Sequence, residues 1–386
     1  MTKNEFVHSL KKVKLVLGNG FDLYCHLETT YNYFFNSDKE RYDFIKELAK
    51  YYYNIQNGEN KNEELKKFWE LFEGAYYDFS FWDFWFYFIT LQKEKDIDTT
   101  KWNWCSIEKE LLDFVTISYD KEPKNQEEIA STQDESSDSN DVNNFIVDFL
   151  SHKHQKEIDR GDINDPYKFN EILLNELKDF ESRFGKYVLG LTKNENEKKA
   201  YNEAATKAIQ KLCSIYNLVS IDTFNFDEPD LPWVKPIIHH INGDCENPIF
   251  GVDSEAITYD SPSFIFTKTS RRMELDMIQS EIDVDNSFEN IIIFGHSLDK
   301  ADYSYFFSLF DKIKITDLSN NSKVVFAYSI YDSNKRNQIL DDLRKGIVQL
   351  FHDYSIYKFN TENHANRLLD QLTTQRKVMM FDIDSK

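Results

Sequence analysis

The chain has 386 residues, 41% of them hydrophobic and 16% aromatic, which supplies a large core and excludes wholesale disorder. Its formal net charge of −21 argues against non-specific binding to nucleic acid or to an anionic membrane. With only 11 Gly and 7 Pro it does not read as a turn-rich all-β fold, and its length suits one large domain or a core domain carrying a sizeable insertion.

The first informative segment is 13–35. Val13, Leu15, Val16 and Leu17 form a brief apolar run that suits a central parallel strand. Gly18-Asn19-Gly20 follows, then Phe21 and Asp22 at the start of a helix. Two positions without a Cβ allow a tight turn and close approach of a ligand, and amides at the helix start suit a phosphate or another acidic group. The third glycine of the usual dinucleotide fingerprint is missing.

Roughly 180 residues of mainly helical pattern come next, with helices expected over 39–53, 62–73, 79–93, 104–114, 168–191 and 197–216. This region reads as a helical insertion at 39–215 between a first βα unit (1–38) and the rest of the core (216–386). The Phe-rich run 79–91 is too short for a membrane span and carries Asp83, so it suits a helix buried in a core or in a partner interface. Residues 119–142, polar and acidic, read as a mobile loop. Glu108, Glu110 and Glu181 are candidates to project into a cleft, with surface charge as the plainer reading. The one basic cluster, Lys268 with Arg271-Arg272, reads as a solvated loop or helix start.

Further strand-like runs lie at 218–224, 236–241, 249–252, 290–295 and 323–328, and three of them end in polar clusters. The first holds Thr223, Asn225 and Asp227, which fit either an Asx-capped turn or groups that hold a ribose hydroxyl or a carboxamide. The second is His239-His240-Ile241-Asn242-Gly243-Asp244. Neighbouring strand residues face opposite ways, so only one histidine can serve a given site, and His240 shares a face with Asn242. His240 fits a general base or a hydrogen-bonded core histidine equally. The third is Gly295-His296-Ser297-Leu298-Asp299, with Asp302 beyond it. There Ser297 or Asp299 caps a helix starting near Ala301, and Gly295, Ser297 and Asp302 are also available to an adenosine or phosphate. Helices are expected over 306–315 and 335–350, then one more helix and a short tail from 361. The fold class expected is α/β, a Rossmann-like parallel sheet with a large aromatic-rich helical insertion. Cys25, Cys105, Cys213 and Cys245 are scattered without a C-x-x-C pair, so neither disulfides nor a metal site are expected; together with the lack of a signal-peptide pattern this fits a cytoplasmic setting.

GNGFDL with the following Thr29-Thr30-Tyr31, Trp104 to Glu108 (W-x-x-I-E), TFNFD, NGD followed by PIFGVD, and FGHSLDKAD together resemble the AbiH family of bacterial phage abortive-infection proteins. The same landmarks resemble a distant sirtuin-like nicotinamide-dinucleotide fold. The resemblance implies a defence effector that binds NAD, as ligand or substrate, and cleaves its nicotinamide–ribose bond. It implies catalytic roles for Asn225, Asp227 and His240. It also implies cofactor contacts from Gly18, Asn19, Gly20, Phe21, Asp22, Thr223, Asn242, Gly243, Gly295, His296, Ser297 and Asp302. One departure stands out: where the pattern has His-Gly, this chain has Asn242-Gly243, and His240 lies two residues back. The alternatives are a nucleotide-sensing or partner-binding defence protein without catalysis and, further off, a metal-dependent nuclease. Possible partners are a phage-derived trigger, another protein, or a second copy of the chain.

Overall fold

A computed structural model describes residues 3–56, 61–75, 78–94, 104–117, 136–154, 165–231, 236–276, 287–317, 319–360 and 365–385. The chain divides into two compact units: Met1–Thr29, Gly185–Pro248 and Leu275–Lys386 form the first, Thr30–Phe184 and Ile249–Glu274 the second.

The first unit holds six strands, β1 (Val13–Leu17), β2 (Leu218–Thr223), β3 (Ile237–His240), β4 (Asn290–Phe294), β5 (Lys323–Tyr328) and β6 (Val378–Asp382). They form one sheet in the order β3-β2-β1-β4-β5-β6, and every pairing is parallel. This is the doubly wound, Rossmann-like order, in which the chain reverses direction across the sheet between β1 and β4. Alternation along the strands splits their side chains between two cores. Leu15, Leu17, Ile221, Ile292, Phe294 and Val325 pack with Ala205, Ile209 and Leu212 of the helix Glu195–Leu212. Val16, Ile291, Ile293, Val324 and Phe326 pack with Phe306 and Phe310 of the helix Tyr303–Lys312 and with Leu350 and Phe351 of the helix Arg336–Phe359.

Two strand expectations are corrected. Residues 249–252 form no strand; Val252 makes only an isolated bridge to Thr267 in the second unit. The tail after the helix Ala365–Thr374 is instead β6, which pairs with β5 from Val324↔Val378 to Tyr328↔Asp382.

The second unit is helical and aromatic. Its helix Phe81–Glu94 buries Phe81, Trp82, Phe84, Trp85, Phe86, Tyr87 and Phe88, so the Phe-rich run is a core element. Ser80 and Asp83 cap that helix reciprocally, since Asp83 Oδ2 accepts from the Ser80 amide at 2.7 Å and the Asp83 amide donates to Ser80 Oγ at 3.3 Å. The acidic stretch expected to be mobile lies outside the described residues except at 136–142, which begin the helix Ser136–His154. Trp102 and Asn103 also lie outside them.

The basic cluster is neither a patch nor a solvated helix start. Arg271 is buried and donates to both oxygens of Glu181, at 3.0 and 2.8 Å, and Lys268 pairs with Glu108 at 2.8 Å with both side chains buried. Glu108 and Glu181 therefore sit inside ion pairs of the second unit, and Glu181 also accepts from the Phe250 amide at 2.7 Å. No helix among the described residues is long and apolar enough to cross a membrane.

Candidate functional site

In a doubly wound sheet, ligands bind outside the strand carboxyl ends at the point where strand order reverses. Here that point lies between the segment after β1 and the segment after β4, both within the first unit. The two segments meet backbone to backbone: the Gly18 amide donates to Phe294 O at 3.0 Å, and the Gly20 amide to Gly295 O at 2.8 Å. A Cβ on Gly18 would stand 2.6 Å from His296 Cα, and one on Gly20 2.8 Å from Gly295 Cα. Gly295 has φ +73°, and its Cβ would overlap the Phe21 amide. The glycines thus serve the approach of one loop to the other. The amides of Gly18, Gly20 and Phe21 are all spent on backbone carbonyls, the last on Gly18 O at 2.8 Å. In this conformation they do not point at a phosphate.

The polar side chains gather on the other flank, at the ends of β1, β2 and β3. Asp22, in the short helix Asn19–Tyr24, is buried, with Oδ1 accepting from Tyr201 Oη at 2.9 Å and Oδ2 lying 3.4 Å from Thr29 Oγ1. Thr29 Oγ1 also lies 2.5 Å from Asn19 Oδ1. Burial pushes the Asp22 carboxyl up to about 8; the Tyr201 hydrogen bond opposes this and the nearby Asp227 charge adds to it. Asn225 is buried after β2: its amide donates to Thr223 Oγ1 at 3.0 Å and its Nδ2 to Gly18 O at 3.2 Å. Burial raises Asp227 as well, and its buried Oδ2 has no hydrogen-bond partner among the described residues.

The two adjacent histidines face opposite ways, as strand geometry requires. His239 Nδ1 lies 2.9 Å from Asp222 Oδ1, in a buried cluster with Lys14 and Tyr305. His240 turns toward the Asn225 loop: Nδ1 donates to Asn225 O at 2.9 Å, and Nε2 lies 3.3 Å from Glu228 Oε2. Burial lowers the His240 pKa, but Glu228 and the Asn225 carbonyl outweigh it and hold the imidazole above its ordinary value. Asn242 is buried just beyond β3, and Gly243 takes φ +76° in the turn that Asp244 closes by accepting from the amides of Glu246 and Asn247.

The β4 segment is used differently. The Leu298 amide donates to His296 Nδ1 at 2.9 Å, which leaves Nε2–H to face Asp302 Oδ2 at 3.3 Å. The His296 ring is edge-on to Phe224 and Phe306, so it belongs to the core. Asp299, not Ser297, supplies the cap, accepting from the Ala301 amide at 3.1 Å; Ser297 is exposed. Phe21 is buried edge-on to Phe294. The structure thus brings Asn19, Asp22, Thr223, Asn225, Asp227 and His240 to one flank and turns Phe21 and His296 inward. Sequence reasoning missed Tyr201 and Glu228. Tyr201 carries no signal beyond its place on the apolar face of its helix, whereas Glu228 directly follows Asp227 at the end of β2.

The family model for bacteriophage abortive infection AbiH matches residues 15–328, most of the chain and all the segments just described. No curated protein and no solved structure gives a significant match.

Proposed function

The chain belongs to the AbiH family of bacteriophage abortive infection proteins, and from that premise we propose that it acts in phage defence by binding NAD at the β1–β3 strand ends and cleaving its nicotinamide–ribose bond. One observation carries this reading. Asn225, Asp227, His240 and Asp22 converge at the carboxyl ends of neighbouring parallel strands, and a buried Asp227 oxygen there lacks a hydrogen-bond partner among the described residues. An unpaired buried carboxylate oxygen is costly in an empty protein and useful to one that receives a ligand. Asn225 would position the ribose or a water, and His240, two residues before Asn242, would stand in for the histidine expected at that place. The carboxyls would balance charge as the bond to the pyridinium breaks. Asp22, raised to about 8, is protonated at neutral pH in the empty site, and the approach of a cationic ring favours its ionisation. The pyrophosphate would lie over the Asn225 flank, since the β1 turn spends its amides internally.

That engagement, with the Asn242 departure, favours a second reading in which the site senses a nucleotide without cleaving it. Incubating the protein with NAD and following nicotinamide and ADP-ribose by chromatography separates the two. Release abolished by Asn225→Ala and His240→Ala supports cleavage. Calorimetric binding without release supports a sensor, and neither binding nor release removes the nucleotide site.

A further inference from the structure

We propose that Glu228 is the catalytic carboxylate of this site, accepting a ribose hydroxyl and balancing the positive charge that forms at C1′; the assignment rests on the NAD reading above. Three acidic side chains meet here, and their surroundings differ. Asp22 is buried behind Asn225, its oxygens engaged by Tyr201, Thr29 and Asn225, so it acts on the site through its charge and not by direct contact with substrate. Asp227 is largely buried. The Glu228 side chain is 58% exposed, and its Oε2 lies 3.3 Å from His240 Nε2. The imidazole is held from behind, because Nδ1 is fixed by the Asn225 carbonyl, so Nε2 and Glu228 together form the accessible edge of the cluster.

The charge states follow the geometry. Burial raises Asp22 and Asp227, whereas the His240 hydrogen bond holds Glu228 below its ordinary range. Of the three, Glu228 is the one shifted toward the ionised form, and its side chain is the exposed one. Carboxyls driven apart in this way mark different duties, and stabilising a ribosyl cation needs the ionised one. His240 with both nitrogens engaged orients Glu228 and is a poor base until it loses a proton. In the reaction the C1′–N bond breaks with its electron pair passing to the pyridinium nitrogen, which leaves as neutral nicotinamide. Water adds its oxygen to C1′, and its surplus proton passes to Glu228 and then to solvent. Besides one another, the charged groups that bear on Glu228 and His240 are Asp227, Lys198 and Asp244.

The test compares Glu228→Gln and Glu228→Asp with the full-length wild type in NAD cleavage, ADP-ribose calorimetry and melting. Glu228→Gln should lose about a hundredfold or more in kcat with a smaller change in KM, and Glu228→Asp should recover part of it. The alkaline limb of the remaining pH–rate profile should move down, because His240 loses the carboxylate that raises it and gives up its proton at lower pH. If the wild type binds ADP-ribose without cleaving NAD, loss of that affinity in folded Glu228→Gln supports the ribose contact, and retained affinity overturns it. Wild-type kcat in Glu228→Gln overturns the Glu228 assignment while NAD cleavage itself stands. A wild type that neither cleaves NAD nor binds ADP-ribose overturns both.

Discussion

The helical unit pairs its buried carboxylates with cations, whereas the sheet unit does this for Asp222, with Lys14, but gives Asp22 no cationic partner among the described residues. In the helical unit Glu181 meets Arg271, Glu108 meets Lys268, Asp83 meets Arg183, and Glu176 meets Lys153 and His154. In the sheet unit Asp22 meets the neutral side chains of Tyr201, Thr29 and Asn225, and Asp227 keeps an oxygen without a hydrogen-bond partner among the described residues. Burying a charge is tolerable when a counter-charge and hydrogen bonds accompany it, so the first arrangement serves structure. Leaving a buried acid unpaired has a stability cost that only a ligand or a reaction offsets. An oxygen without a partner does not by itself separate scaffold from site, since Asp83 Oδ1 is another; what differs is that Asp83 has the Arg183 guanidinium beside it.

The comparison predicts different failures on the two sides. Asn225→Ala should remove NAD turnover, by about a thousandfold or more, while near-UV circular dichroism stays close to wild type and stability falls by only about 1–3 kcal/mol for the buried hydrogen bonds it loses; turnover retained in a folded variant would break the contrast at its functional end. Arg271→Met should do the reverse. It leaves Glu181 buried and unpaired, for a loss of about 3–5 kcal/mol in urea denaturation, much of which Glu181→Met in the same chain should restore. Asp22→Asn should show its effect in the pH dependence of stability. The carboxyl has an ordinary value of 3.8 and is raised to about 8 in the folded protein, so between those values only the folded state holds the proton. Wild-type stability therefore falls as pH rises through that window, and the gain from Asp22→Asn should be larger at about pH 9 than at about pH 5. Equal gains at both would mean that Asp22 is not raised. The smallest effect belongs to Tyr201→Phe, which removes the donor to Asp22 Oδ1 and should cost about 1 kcal/mol in the same denaturation measurement.

Much of the sheet was legible because β1, β2, β4 and β5 are compact apolar runs rich in Val, Ile and Phe. The sixth strand escaped because its centre is Met379-Met380, and methionine carries little strand preference. The run at 249–252 looked equally strand-like, but it belongs to the helical unit and finds no ladder there. At the site, the Asn225 and His240 loops could be read from strand-end chemistry and the period of two. Tyr201 and Thr29 could not, since what matters about them is a hydrogen bond across the fold. The same holds for Arg271 and Lys268, whose partners lie far away in sequence; a run of basic residues looks solvated until its counter-charges are located.

The loop contact at the end of β1 has an evolutionary consequence. A Cβ on Gly18 would run into the backbone of Gly295 and His296, one on Gly20 into that of Gly295, and one on Gly295 into that of Gly20 and Phe21. Elsewhere in a core an enlarged side chain can be offset by shrinking its neighbour, and sequences drift through such exchanges. Here the opposing atoms are backbone, which no smaller neighbouring side chain removes, so no paired substitution restores the fit. Change at any of the three requires displacement of the backbone itself, and with it the helix that carries Asp22.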